Sequence, residues 1–238
     1  MARFLRFWLS PSPQRALVIG GSGSLGSSVI SVFKNHWETT NLDFIENKEA
    51  NYNIVVSPAD DTEKHLAQAN EVLKGKYDMI LSTAGGWCQG DIESANVFSQ
   101  VEMMMRNNVY PSVLAGHLAT KYATETGIIV LSGSLLVFKE NTPSMLAYGI
   151  CKTMVHNIAL NLSTKQNLTS ENRIICLVPD ILNTEVNRES MPSADHTKWV
   201  SPMKIAEKLY EWGDGKNVPE NGSFITFKLD KDVTIEYM

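Results

Sequence analysis

A short apolar run, Ala16-Leu17-Val18-Ile19, leads straight into Gly20-Gly21-Ser22-Gly23-Ser24-Leu25-Gly26, after which Leu25, Val29, Val32 and Phe33 recur at helical spacing. The run reads as a buried parallel strand and the periodic positions as a helix with one apolar face. Gly21, Gly23 and Gly26 meet the G-x-G-x-x-G spacing in the strand–turn–helix setting that gives this pattern meaning. Glycines allow the tight turn and let a diphosphate approach backbone N–H groups. The helix N-terminus adds partial positive charge. A dinucleotide cradle over Gly20, Gly21, Ser22, Gly23, Ser24, Leu25 and Gly26 is therefore expected.

The rest of the chain alternates in the same way. Further strands are expected at 39–44, 54–56, 79–82, 128–131, 174–178 and 224–227, and helices at 62–73, 95–107, 111–124, 147–162 and 202–212. Such alternation builds right-handed βαβ units and a parallel sheet with helices on both faces. The fold class is α/β: one Rossmann-like, doubly wound domain over 1–238, with a mainly parallel seven-stranded sheet. A last strand at 233–237 is expected to return antiparallel beside the seventh.

Ligands of such sheets bind beyond the carboxyl ends of the strands. Asp43 stands near the end of the second strand, at about the separation from Gly26 where a carboxylate receives the adenosine ribose hydroxyls. It would repel a 2′-phosphate, and the nearest base is Lys48. NADH is thus expected over NADPH. After the fourth strand, Ala84, Gly85 and Gly86 let backbone pass under a flat cofactor, and Trp87 offers an aromatic face or simply packs. After the fifth, the hydroxyl of Ser134 is placed to share a substrate's polar atom. After the sixth come Pro179 and Thr184, the latter a candidate for the nicotinamide carboxamide. The long polar stretch 185–197 is a candidate lid.

Tyr148 and Lys152 fall one turn apart on the same helix face. A cation near a phenol favours the phenolate and lowers its pKa from about 10. The pair is expected to trade a proton with substrate near neutral pH. Asn108 is a candidate to hold a water near Lys152, or a helix residue with no duty.

With a net charge of −5 and no basic cluster, nucleic acid is not an expected partner. Cys88, Cys151 and Cys176 lack metal-ligand spacing, so no metal is expected. Cys151 continues an apolar stripe with Val155, Ile158 and Leu162. The N-terminal stretch interleaves Arg3 and Arg6 with aromatic residues before Pro11 and Pro13, and reads as an arm over 1–14, flexible or packed on the surface. Its apolar run is too short to span a bilayer; no membrane and a cytoplasmic location are expected.

Taken together, these residues resemble the short-chain dehydrogenase/reductase family over essentially the whole chain. The resemblance implies a catalytic acid at Tyr148, ribose contacts from Lys152, substrate orientation by Ser134 and a proton relay at Asn108. Ile19 and Ser24 depart from the family's usual first loop, and Ser82-Thr83-Ala84-Gly85 from its usual N-N-A-G. Other motifs are similar to the dihydropteridine reductase branch. They are Ala84-Gly85-Gly86-Trp87, Tyr148-Gly149-x-x-Lys152-x-x-Val155-His156 and Ser190-Met191-Pro192-x-Ala194-Asp195, with Gly215-Lys216-Asn217-x-Pro219 near the end. That branch often lacks the serine at Ser134. It implies NADH-dependent reduction of a quinonoid dihydropterin, a small pterin stacked on Trp87 beside Tyr148. Another carbonyl substrate, or a non-catalytic NAD(H) sensor, is the alternative. A homodimer is also implied, its four-helix interface drawing on Val113, Leu114, Leu118, Cys151, Val155, Ile158 and Leu162, whose apolar surface is expected to exceed what one sheet face covers.

Overall fold

The computed structural model describes residues 13–164, 168–229 and 233–237. Most of the N-terminal arm thus lies outside the described residues. The chain runs β1 (Gln14–Ile19), α1 (Ser24–Phe33), β2 (Trp37–Asp43), β3 (Tyr52–Val55), α2 (Thr62–Val72) and β4 (Tyr77–Ser82). It continues through α3 (Val97–Met104), α4 (Tyr110–Tyr122), β5 (Ala123–Ser132), α5 (Leu136–Lys139) and α6 (Leu146–Ser163). It ends with β6 (Arg173–Leu177), α7 (Glu185–Ser190), α8 (Pro202–Gly213), β7 (Ser223–Leu229) and β8 (Val233–Tyr237).

The strands form one sheet in the order β3-β2-β1-β4-β5-β6-β7-β8. Pairs from β3 to β7 are parallel, and β8 runs antiparallel to β7. The order reverses between β1 and β4. This switch point opens a crevice at the carboxyl ends, where both crossovers leave in opposite directions.

Alternate residues of the central strands face opposite helical layers. Leu17, Ile80, Ile129 and Ile174 pack with Leu114, Leu118 and Val155 of α4 and α6. Val18, Leu81, Val130 and Ile175 pack with Val29 of α1 and Leu209 of α8. This corrects the expected interface residues. Leu114, Leu118, Cys151 and Val155 are buried within the chain's own core, Ile158 and Leu162 are partly buried against it, and only Val113 is half exposed. An apolar stripe at helical spacing marks a buried face, and here the sheet covers most of it. The outward apolar positions are others, including Ile150, Met154 and Leu160.

The helix expected at 95–107 is interrupted. Met105–Val109 form a π turn between α3 and α4, and the Asn108 amide donates to the carbonyl of Met104 at 3.1 Å. The stretch 185–197 is not structureless either. It holds α7 and runs into a 3₁₀ turn at His196–Lys198, and its flanks meet in a Leu182–Val200 bridge. Among the described residues no helix is long and apolar enough to cross a membrane.

Candidate active site

A cavity of about 970 Å³ lies over the carboxyl ends of the strands. Its walls include Gly20, Gly23, Asp43, Ala84, Gly85, Trp87, Ser134, Tyr148, Lys152, Pro179 and Thr184. The topology thus gathers candidates from five separate loops around one space.

The first loop is shaped by what a side chain would strike. Gly20 has φ +86°, and a Cβ at Gly26 would run into the carbonyl of Gly20. Gly23 begins α1 with no side-chain cap, and a Cβ there would meet nothing nearer than 3.4 Å. The first turn of α1 also holds no acidic residue. Uncapped amides beneath an open glycine form a cradle that fits a diphosphate. Asp43 ends β2 and accepts from the amides of Ser22 at 2.9 Å and Phe44 at 2.6 Å. Asn47 donates its amide to the carbonyl of Gly21 at 2.7 Å, holding the next loop against the cradle.

Asn108 grips the loop after β4 in both directions. Its Oδ1 accepts from the Gly86 amide at 3.3 Å, and its Nδ2 donates to the Gly86 carbonyl at 3.2 Å. These bonds make the side chain a clamp on that loop. Gly85 lies between Asn108 and Lys152: a Cβ on it would sit 3.2 Å from Oδ1 and 3.4 Å from Nζ.

Tyr148 and Lys152 share a face of α6. The Lys152 ammonium lies 5.9 Å from the centroid of the Tyr148 ring and donates to the carbonyl of Ser132 at 2.8 Å. Burial pushes the Tyr148 phenol up from its ordinary value, and a hydrogen bond with Ser134 pulls the other way. Burial also lowers Lys152 to about 8. The expected depression of the phenol by the lysine is therefore not found: desolvation sets the direction, and the ammonium is held on the Ser132 carbonyl.

On the far wall, Trp87 donates its indole N–H to Oδ1 of Asn187 at 3.0 Å. Thr184 caps α7, its hydroxyl accepting from the Asn187 amide at 3.2 Å. Pro179 presents its carbonyl to the Leu135 amide at 3.3 Å. Among the described residues no cluster of His, Cys, Asp or Glu has metal-binding geometry.

No family model matches the chain. It is 31% identical over 222 residues to a dihydropteridine reductase of Dictyostelium discoideum, spanning 92% of this chain and 96% of that protein. The chain belongs to the dihydropteridine reductase family. This places it among the oxidoreductases of the short-chain dehydrogenase/reductase class. The fold agrees with that membership. A short-chain dehydrogenase family protein from Francisella tularensis superposes with TM-score 0.75 at 19% identity, covering 90% of this chain and 97% of that one. BdcA, solved in complex with NADPH, superposes with TM-score 0.73 at 17% identity over 90% and 92% of the two chains.

In this member of the dihydropteridine reductase family, one residue lining the cavity, Asn187, and one beneath it, His156, were not expected from sequence as site residues. Asn187 carries no local signal, because its partner Trp87 is distant in the chain. His156 does carry one: it continues the Tyr148–Lys152 spacing by one more turn.

Proposed function

We propose that the protein catalyses NADH-dependent reduction of a quinonoid dihydropterin to the tetrahydropterin, regenerating tetrahydrobiopterin. The observation that carries this reading is the convergence of the glycine cradle, Tyr148, Lys152 and the hydrogen-bonded Trp87 on one cavity, in a chain of this family. Gly20 to Gly26 and the α1 N-terminus hold the diphosphate. Asp43 receives the ribose hydroxyls and repels a 2′-phosphate, which favours NADH over NADPH. When bound, NADH supplies the hydride.

The chain's own residues orient the reactants and handle the proton. The Tyr148 phenol is protonated at neutral pH, burial raising it further from its ordinary value of about 10, and it delivers that proton to the pterin ring. Lys152 holds the nicotinamide ribose. Trp87 stacks against the pterin, and Thr184 is placed for the carboxamide. Closing the cavity around an electron-poor ring supplies proximity as much as acid catalysis.

A carbonyl substrate is the second reading. It is favoured by the Ser134 hydroxyl, whose hydrogen bond with Tyr148 would let both groups polarise one oxygen. NADH oxidation with quinonoid dihydropterin tests the choice against a panel of ketones. Turnover of ketones with none of the pterin would reverse it. The family reading extends to a homodimer through the outward faces of α4 and α6, where Val113, Ile150, Met154 and Leu160 are exposed. A monomer in sedimentation at working concentration would remove that extension.

A further inference from the structure

We infer that His156 is a positioning residue, whose ring holds the loop after β5 where that loop grips both Lys152 and Tyr148. The activity side of this inference rests on the reductase reading above; its structural side does not.

Residues four apart on a helix stack on one face, so α6 presents Tyr148, Lys152 and His156 in a row. Each meets a different atom of the short stretch from Ser132 to Ser134. Lys152 donates to the Ser132 carbonyl at 2.8 Å. The Ser134 amide donates to Nε2 of His156 at 3.1 Å. The Ser134 side chain acts on the Tyr148 phenol, drawing its pKa down against burial. Gly133, between them, has no room for a side chain. A Cβ there would run into Nε2 of His156 and lie 2.8 Å from the Cys176 sulfur.

The ring itself is held on every side. It stacks on Phe138 with centroids 4.4 Å apart and planes at 20°, and meets Phe224 edge-on at 5.3 Å. It is only 7% exposed. To accept from Ser134, Nε2 must carry no proton, so the tautomer is Nδ1–H. The surroundings keep it so. Burial and the Lys152 charge push the imidazole down to about 4. The Cys176 thiol on β6 is pushed up to about 12 and stays neutral. Phe138 and Phe224 bring no charge.

Space filling alone would ask for the ring and not for the nitrogen, and this separates the two roles. His156→Phe keeps a stacked ring and removes the acceptor; His156→Gln offers an amide oxygen in its place. We expect the Phe variant to lose about tenfold or more in kcat, short of the ~10²-fold that a ~1 Å misplacement can cost. KM for the pterin should hardly change, and the Gln variant should recover most of the rate. In a Ser134→Ala background the loss should shrink. Full kcat in the Phe variant, or equal losses in Phe and Gln that track a lower Tm, would overturn the inference. A second measurement needs neither a folded variant nor a pterin substrate: ¹⁵N-histidine spectra of the unmutated protein near about pH 6, where free imidazole titrates. A neutral Nδ1–H ring is expected for His156. An Nε2–H or doubly protonated ring would sink the inference, while absent pterin turnover would sink only the reductase reading.

Discussion

Trp87 and Asn187 are joined across the cleft by a hydrogen bond of 3.0 Å from the indole nitrogen to the amide oxygen. Asn187 is itself anchored: its Nδ2 donates to the Leu182 carbonyl at 2.8 Å, and its backbone amide to the Thr184 hydroxyl at 3.2 Å. The bond therefore fixes the plane of the indole and ties α7 to the loop after β4.

Breaking that tie should loosen the substrate wall without touching the acid. Asn187→Ala leaves the indole N–H without its partner, at a cost of about 1 kcal/mol, or roughly fivefold in KM for the pterin. Trp87→Phe keeps a ring and loses the same bond, so its effect should be similar. Adding Asn187→Ala to it should then change little, because the two residues act as a unit. Steady-state kinetics on the three variants check this. Unchanged KM in Trp87→Ala as well would show that the pterin does not stack there.

Cofactor choice should follow Asp43. On the proposed reading its carboxylate would repel a 2′-phosphate, and it also holds the Ser22 amide at 2.9 Å. Asp43→Ala should narrow the preference for NADH and raise KM for both cofactors, since the cradle loses a strut. Asp43→Asn keeps much of the strut and removes the charge, so the preference should narrow with less loss of NADH affinity. Equal kcat/KM for NADH and NADPH in the unmutated protein would refute the role given to Asp43.

Tyr148→Phe removes only the hydroxyl. NADH affinity, read by fluorescence titration, should hold, while kcat falls by about 10²–10⁴, the usual range for a general acid. A quinonoid ring is reactive and water can stand in, so the low end is expected. Full kcat across neutral pH would mean that the proton comes from Ser134 or solvent.

Local patterns were legible and contacts between distant loops were not. The Gly20–Gly26 turn and the Tyr148/Lys152 spacing are each written within a few residues, so periodicity and turn chemistry suffice to find them. The Trp87–Asn187 bond and the Ser134–His156 bond join residues that only the topology brings together. The π turn at Met105–Val109 joins α3 to α4 where the sequence pattern predicts a break after 107, and the Asn108 side chain donates to the Met104 carbonyl within it. Leu114, Leu118 and Val155 show why an apolar stripe does not say what covers it: sheet and partner leave the same pattern. The Tyr148 shift runs opposite to the direction its spacing predicts, for a related reason. Spacing reports the nearby cation, whereas burial, which sets the direction here, is not visible in spacing.

Lys152 is a buried base whose folded pKa is lowered to about 8, and that makes stability depend on pH in a definite sense. Between about 8 and the ~10.4 of an unfolded lysine, the unfolded chain holds a proton that the folded one has released. Stability from this group therefore rises with pH across that window. Below it, both states are charged and the full cost of the buried cation is present. Lys152→Met keeps the apolar stem and removes the charge. In ligand-free protein it should raise Tm near pH 7 by several degrees, at about 2–4 °C per kcal/mol for a chain of this size. Near pH 10 its advantage over the unmutated protein should shrink toward zero. The same variant should turn over poorly, with a higher KM for NADH, because the ribose contact is gone. Thermal unfolding of both proteins over a pH series checks the first part. A Tm difference that does not change with pH would show that Lys152 titrates as an ordinary lysine. A variant that melts higher and works worse is the expected outcome, because the charge that costs stability is the one the cofactor site uses.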